Sequence, residues 1–260
     1  MSNRDDELRV VNPTDPLDDQ GRAEIQLLAA RQRRANGVLM KAINFVGSQV
    51  EDGLKSMPAP VRTRFEAAAK KALSYSFYAA KATHGKAPLT DKGHTAVAAI
   101  AGAVGGVGGL PTALAELPIT TTIIFRAVLG VAEAYGEDPD AEDTRVECLR
   151  VFGAGGPGGD DDGIDTALIG ARLGLSGAGI NSLIARISPR FAAVMSQKLA
   201  GQAVPIIGAA AGAGTNYAFV RFYVEMAHVH FGLRQLCRIY DETQVLEEFH
   251  KALIMRKLSS

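Results

Sequence analysis

Apolar residues recur at every third or fourth position over most of this chain, the spacing that lines one face of an α-helix. Ile25, Leu28, Leu39, Ala42, Val46 and Val50 set the rhythm from Gly21 to about Ser56. Pro58 and Pro60 end it, since proline has no N–H to donate and restricts the residue before it. A second amphipathic helix is predicted at 61–83, with Val61, Phe65, Ala68, Ala72 and Tyr75 on one stripe and Arg62, Arg64, Lys70 and Lys71 mostly off it. A strong helix runs from Ile119 to about Tyr135 and stops at Gly136. Asp140 and Glu142 then give the next helix, 140–152, an acidic start.

The stretch GAGGPGGDDDGID (153–165) is too rich in glycine and aspartate to pack a core, and reads as a mobile surface loop. Beyond it, a helix over 165–187 is broken around GLSGAG (174–179), and Pro189 opens another at 189–202. A long helix is expected from about 206 to 240, after Pro205. The last, 242–257, carries Val245, Leu246, Phe249, Leu253 and Ile254 on one face. Residues 1–20 lack periodicity and read as a disordered tail. Period-two alternation, the signature of strands, is missing. The expected architecture is all-α, a single multi-helix bundle over 21–257 with eight or nine helices.

Composition sharpens this picture. Apolar residues make up 47% of the chain but aromatics only 6%, and alanine and glycine dominate, which favours close backbone approach between helices. The 28 basic and 28 acidic residues cancel, so no global field draws the chain to nucleic acid. The local groups Arg31, Arg33 and Arg34, and Asp160–Asp162, read as a solvated face and a solvated loop. Cys148 and Cys237 lie far apart with no CxxC, and the start MSNRDDELRV is charged and has no apolar run, so a reducing, cytoplasmic setting is expected.

The segment AIAGAVGGVGGLPTALAELPITTTIIFRA (99–127) places five glycines within Gly102–Gly109. Neither the dinucleotide fingerprint nor the P-loop spacing is met, and no lysine follows to reach a phosphate. Ala96–Ala115 and Leu199–Val220 are uncharged runs of 20 and 22 residues, long enough to cross a hydrocarbon core of ~30 Å. Their Ala/Gly content contributes little transfer energy. Gly102/Gly106, Gly105/Gly109 and Gly208/Gly212 are G-x-x-x-G pairs, which put small residues on one helix face. Two readings stand: a helix-packing seam at the centre of a bundle, favoured, and a membrane-inserting hairpin.

GGVGGLPTALAELPITTTIIFRAVLGVAEAYGED resembles the central signature of the EcsC protein family, with Glu116-Leu117-Pro118, Arg126 and Tyr135-Gly136 at its characteristic points. FAAVMSQKLAGQAVPIIGAAAGAGTNYAFVRFYVEMAHVHFGLRQLCRIY resembles the family's second signature, and VLMKAINFVGSQVEDGLKSMP its first helix, so the likeness spans roughly 21–256. The chain departs from the pattern at Cys237, where a Glu is expected, and at Asp241, where a Gly is expected. The resemblance implies an α-helical intracellular protein without a defined reaction, associated with an ABC transporter or secretion system. Its implied partner is a membrane surface or a membrane protein.

Glu116, Arg126, His230 and Arg234 are polar residues in apolar helical context, and a buried charge needs a partner. The favoured reading is an ion-pair network locking the bundle, with Glu116 meeting Arg126 or Arg234 from another helix. The rival reading is a ligand or catalytic site at the same residues. Glu225 and His228 have the Glu-x-x-His spacing of carboxylate-bridged metal sites, but a matching second motif on a core helix is missing. No metal, cofactor or catalytic motif is expected. Thr120, Thr121 and Thr122 read as back-bonding hydroxyls.

Overall fold

Two aspartates far apart in sequence start helices in the same way. Asp18 accepts the Gly21 N–H at 2.7 Å and Asp241 accepts the Gln244 N–H at 2.9 Å, each satisfying an amide that a helix N-terminus leaves without a partner. In the computed structural model, residues 15–46, 58–83, 109–153, 177–200 and 208–254 are described. They form α1 (Asp19–Val46), α2 (Ala59–Thr83), α3 (Gly109–Ala134), α4 (Glu142–Val151), α5 (Gly177–Ala200), α6 (Gly208–Ile239) and α7 (Glu242–Ile254). Among the described residues the fold is a packed helical bundle of these seven helices with no strand. Residues 15–20, assigned to the tail by the missing periodicity, carry the cap and first turn of α1, and Leu17 is buried.

α1 lies antiparallel along α6, with Leu28 opposite Gly232 and Arg31 opposite Glu225. A Cβ on Gly232 would come within 2.7 Å of Leu28 Cδ2, so the missing side chain sets this close approach. α2 pairs with α3, where the buried Ser76 hydroxyl meets Thr122 Oγ1 at 3.1 Å. α4 and α5 pack across the remaining faces, and α7 folds back over the start of α1.

Five aromatic rings meet where five segments converge. Phe77 of α2, Phe125 of α3, Phe152 just after α4, Phe191 of α5 and Tyr223 of α6 form a continuous run of ring contacts, with centroids 5.1–6.4 Å apart. Each ring removes a large apolar area from water and orients edge-to-face or offset. Gly102, Gly105 and Gly106 fall outside the described residues, Gly109 opens α3, and Gly208 and Gly212 sit in the first turns of α6.

Proline placement differs from the sequence expectation. Pro189 does not open a helix but lies inside α5, and Pro118 lies inside α3. An internal proline costs about 3 kcal/mol, which burial of Ile184, Ile187, Phe191 and Ala192 around Pro189 offsets. Hydroxyls supply local hydrogen bonds at both sites. Thr121 and Thr122 donate to the carbonyls of Leu117 and Pro118 at 2.6 and 2.7 Å, and Ser188 donates to Ile184. α3 ends as expected: Gly136 has φ +78°, and the Glu137 N–H reaches back to the Ala132 carbonyl. The loop expected at 153–165 begins at Gly153, and the rest of it lies outside the described residues.

Leu117–Ala134 is, among the described residues, the one stretch long and apolar enough to cross a membrane, and 56% of it is buried inside the bundle. Its apolarity therefore has a packing explanation. The runs 96–115 and 199–220 lie partly outside the described residues.

Two glycine substitutions test this packing in opposite directions. A Cβ on Gly130 meets nothing within 4 Å on an exposed face of α3. Gly130→Ala should therefore raise the urea midpoint, by about 1 kcal/mol of stability. A Cβ on Gly21 would come within 2.8 Å of the Tyr240 ring, whose hydroxyl is tied to Asp18. Gly21→Ala should lower the midpoint, by about 1–3 kcal/mol.

Candidate functional site

α4 is short and charged, yet every residue from Thr144 to Val151 is buried. A charge taken from water without a partner costs several kcal/mol, so its ionised groups demand counterions. Glu147, 5% exposed, finds them on all sides. Its Oε2 accepts from His230 Nε2 at 2.9 Å, and its Oε1 lies 3.3 Å from Arg150 Nη1 and 3.2 Å from Arg234 Nη1. Glu137, placed just past the Gly136 turn, accepts Arg234 Nε at 3.2 Å and also pairs with Arg238. Arg234 thus bridges two carboxylates. His230, Arg234 and Arg238 follow at four-residue spacing along α6, one polar stripe facing α4 and the α3–α4 turn.

Arg145 is held separately. It donates to the Asp140 carbonyl at 2.8 Å, and its guanidinium lies 5.6 Å from the centre of the Phe77 ring. This contact joins α4 to α2 and to the edge of the aromatic core.

Burial pushes the His230 imidazole below its usual range, and the neighbouring Arg234 and Arg150 push the same way against the Glu147 carboxylate. The cluster already sets three guanidiniums against two carboxylates, so a further positive charge is unwelcome. The ring is accordingly neutral near pH 7, with Nε2–H donating to Glu147. Burial also holds both thiols protonated: Cys148 is pushed well up and Cys237 up to about 12. A protonated thiol is a poor nucleophile.

The structure brings His230 and Arg234 together around Glu147. The Glu116 side chain lies outside the described residues, and Arg126 is half-buried on α3. Glu137, Glu147, Arg150 and Arg238 were not singled out by the sequence. Only the three-residue spacing of Glu147 and Arg150 hinted at a local pair. Among the described residues no three His, Cys, Asp or Glu side chains gather as a metal site would require. Glu225 instead pairs with Arg31 and Arg221, and His228 Nδ1 lies 3.4 Å from the Tyr135 hydroxyl.

Those pairs border a second feature. Between α1 and α6 lies a cavity of about 410 Å³ lined by Arg31, Arg34, Ala35, Gly37, Arg221, Phe222 and Glu225. Glu225 holds Arg31 on one wall at 3.1 Å and Arg221 on the other at 3.2 Å, one carboxylate oxygen to each. Leu27, 66% exposed, lies one turn from Arg31, and Tyr217, 47% exposed, one turn from Arg221.

Two substitutions separate the parts played by charge and titration in the buried network. Glu147→Gln leaves the Arg150 guanidinium buried without its carboxylate and should cost about 3–5 kcal/mol in chemical denaturation. The depressed His230 pKa has a definite linkage sign. Unfolded His230 takes up a proton below about pH 6.5, while the folded ring resists it, so stability is full above that value and is lost as pH falls below it. His230→Gln keeps a donor for Glu147 but cannot titrate. The fall in Tm between pH 7.5 and 5.5 should be smaller in this variant than in the parent chain.

No curated protein matches the chain, and no solved structure does. The EcsC protein family matches over residues 23–236, which takes in nearly all of α1 to α6, the arginine-lined cavity and the buried network apart from Arg238. The chain belongs to the EcsC protein family.

Proposed function

We propose that the chain is a non-enzymatic accessory protein that binds the cytoplasmic face of a membrane, where it serves a membrane-embedded partner. The observation that carries this reading is the α1–α6 face, where three arginines line one cavity and two exposed apolar side chains flank it. Basic side chains near an anionic leaflet contribute about 1 kcal/mol each. Tyrosine favours the interface because its ring is apolar and its hydroxyl wet. Leu27 and Tyr217 would enter the headgroup region from opposite walls while Arg31, Arg34 and Arg221 meet lipid phosphates. The polar groups of the core network support the non-enzymatic part of the reading. Glu147 spends its oxygens on His230, Arg150 and Arg234, and both thiols are protonated.

Co-sedimentation with vesicles tests the proposal. The chain should pellet with phosphatidylglycerol-containing vesicles and stay in solution with pure phosphatidylcholine, and raising the salt from 0.1 to 0.5 M should release most of it, because screening shortens the reach of surface charge. The triple variant Arg31→Ala, Arg34→Ala, Arg221→Ala should lose the pelleted fraction. Equal binding to both vesicle types would overturn the electrostatic part, and no binding to either would overturn the whole reading.

A further inference from the structure

The cavity is more than a basic patch. Its lining sets three arginines against one glutamate, a formal excess of two positive charges. Glu225 draws Arg31 and Arg221 toward each other across the gap, so two guanidiniums from different helices are held in place before any ligand arrives. Fixing long side chains in advance removes an entropic cost that binding would otherwise carry. Arg34 stands one turn along α1 near the Ala30 carbonyl, a weak tether at 3.5 Å that leaves the guanidinium exposed at the rim.

We propose that this cavity is a binding site for a phosphate monoester, with Arg31, Arg34 and Arg221 holding the phosphoryl oxygens. The inference rests on the reading of this face as the working surface, and adds the ligand class. Three considerations select it. A phosphomonoester carries about −1.5 to −2 charges at neutral pH, which matches an excess of two, whereas a carboxylate or a phosphodiester would neutralise one. Its three terminal oxygens suit planar guanidinium forks approaching from different sides. The volume of about 410 Å³ falls within the range of small-molecule sites, leaving room for an organic group beside the phosphate. Phe222 and Ala35 give that group an apolar wall.

Gly37 supplies the means to test the site without touching its charge. A Cβ there meets nothing within 4 Å, so a side chain at this position extends into open space at the cavity. Gly37→Leu narrows the cavity and raises the helix propensity of α1, so loss of folding is not the expected result. Gly37→Ala keeps most of the volume.

The experiment titrates glycerol 3-phosphate, inorganic phosphate, glycerol and acetate into the full chain by calorimetry and thermal melting. In parallel it compares vesicles of phosphatidic acid, a monoester headgroup, with vesicles of phosphatidylglycerol, a diester. The expected result is saturable glycerol 3-phosphate binding with a raised Tm, weakened about tenfold or more by Gly37→Leu and by Arg34→Ala and little by Gly37→Ala. A preference for phosphatidic acid vesicles without binding of the soluble ester, abolished by Gly37→Leu, assigns the same chemistry to a lipid headgroup. Two results overturn the proposal: neither monoester source is preferred, or Gly37→Leu binds as the parent does. The membrane reading is scored separately, since Gly37→Leu keeps all three arginines and should still pellet with phosphatidylglycerol vesicles.

Discussion

A single ionised carboxylate deep in the bundle constrains most of what surrounds it. Glu147 sits on a helix with no exposed face from Thr144 onward, so its charge is tolerable only if donors converge on it from neighbouring elements. They come from its own helix through Arg150 and from α6 through His230 and Arg234. Satisfying Glu147 therefore fixes the rotation of α6 about its own axis. Arg234 then reaches on to Glu137, which fixes the turn between α3 and α4 as well. A registry role of this kind is more than apolar packing supplies, because rings and methyl groups tolerate sliding that a three-donor carboxylate does not.

The aromatic run complements this ionic lock. Phe77, Phe125, Phe152, Phe191 and Tyr223 draw together four helices and the end of α4. The Arg145 guanidinium over Phe77 is the joint between the two systems. Tyr223 brings a polar atom into this core, its buried hydroxyl lacking a hydrogen-bond partner among the described residues, and burial pushes its phenol well above the ordinary range. That cost, of about 1–3 kcal/mol, is one the packing of its ring must outweigh.

Much of the helical frame could be read from the sequence, and the reasons are local. The three-to-four rhythm, Gly136 with its left-handed turn and the acidic start of α4 each act through residues next to one another. What could not be read depends on partners remote in sequence. Pro189 looked like a helix start because proline is a local stop, whereas the buried residues around it keep α5 continuous. Arg31 looked like part of a solvated face because its partner, Glu225, is 194 residues away. His230 and Arg234 stood out as polar residues among apolar ones, whereas Glu147 lies in a charged stretch where one more carboxylate does not stand out. Pattern identifies an odd residue on an oily helix; it cannot identify a buried helix that is itself polar.

The joint between the first and last helices has a consequence for how the chain comes to be folded. Tyr240 donates to Asp18 across 222 residues, Gln244 accepts the Leu17 N–H across 227, and the Asp241 N–H meets the Asp15 carbonyl beside them. During synthesis α1 emerges first, yet its principal neighbour α6 and its clasp α7 emerge last. Contacts of such sequence separation close the longest loops the chain can form and slow folding accordingly. Until then the stripe of Ile25, Leu28 and Ala29, buried in the finished bundle, lacks the two helices that α1 packs against most. The domain is thus a purse closed by its drawstring: assembly cannot finish before the C-terminal helices leave the ribosome, and chaperones have the whole of that interval in which to hold the first helix.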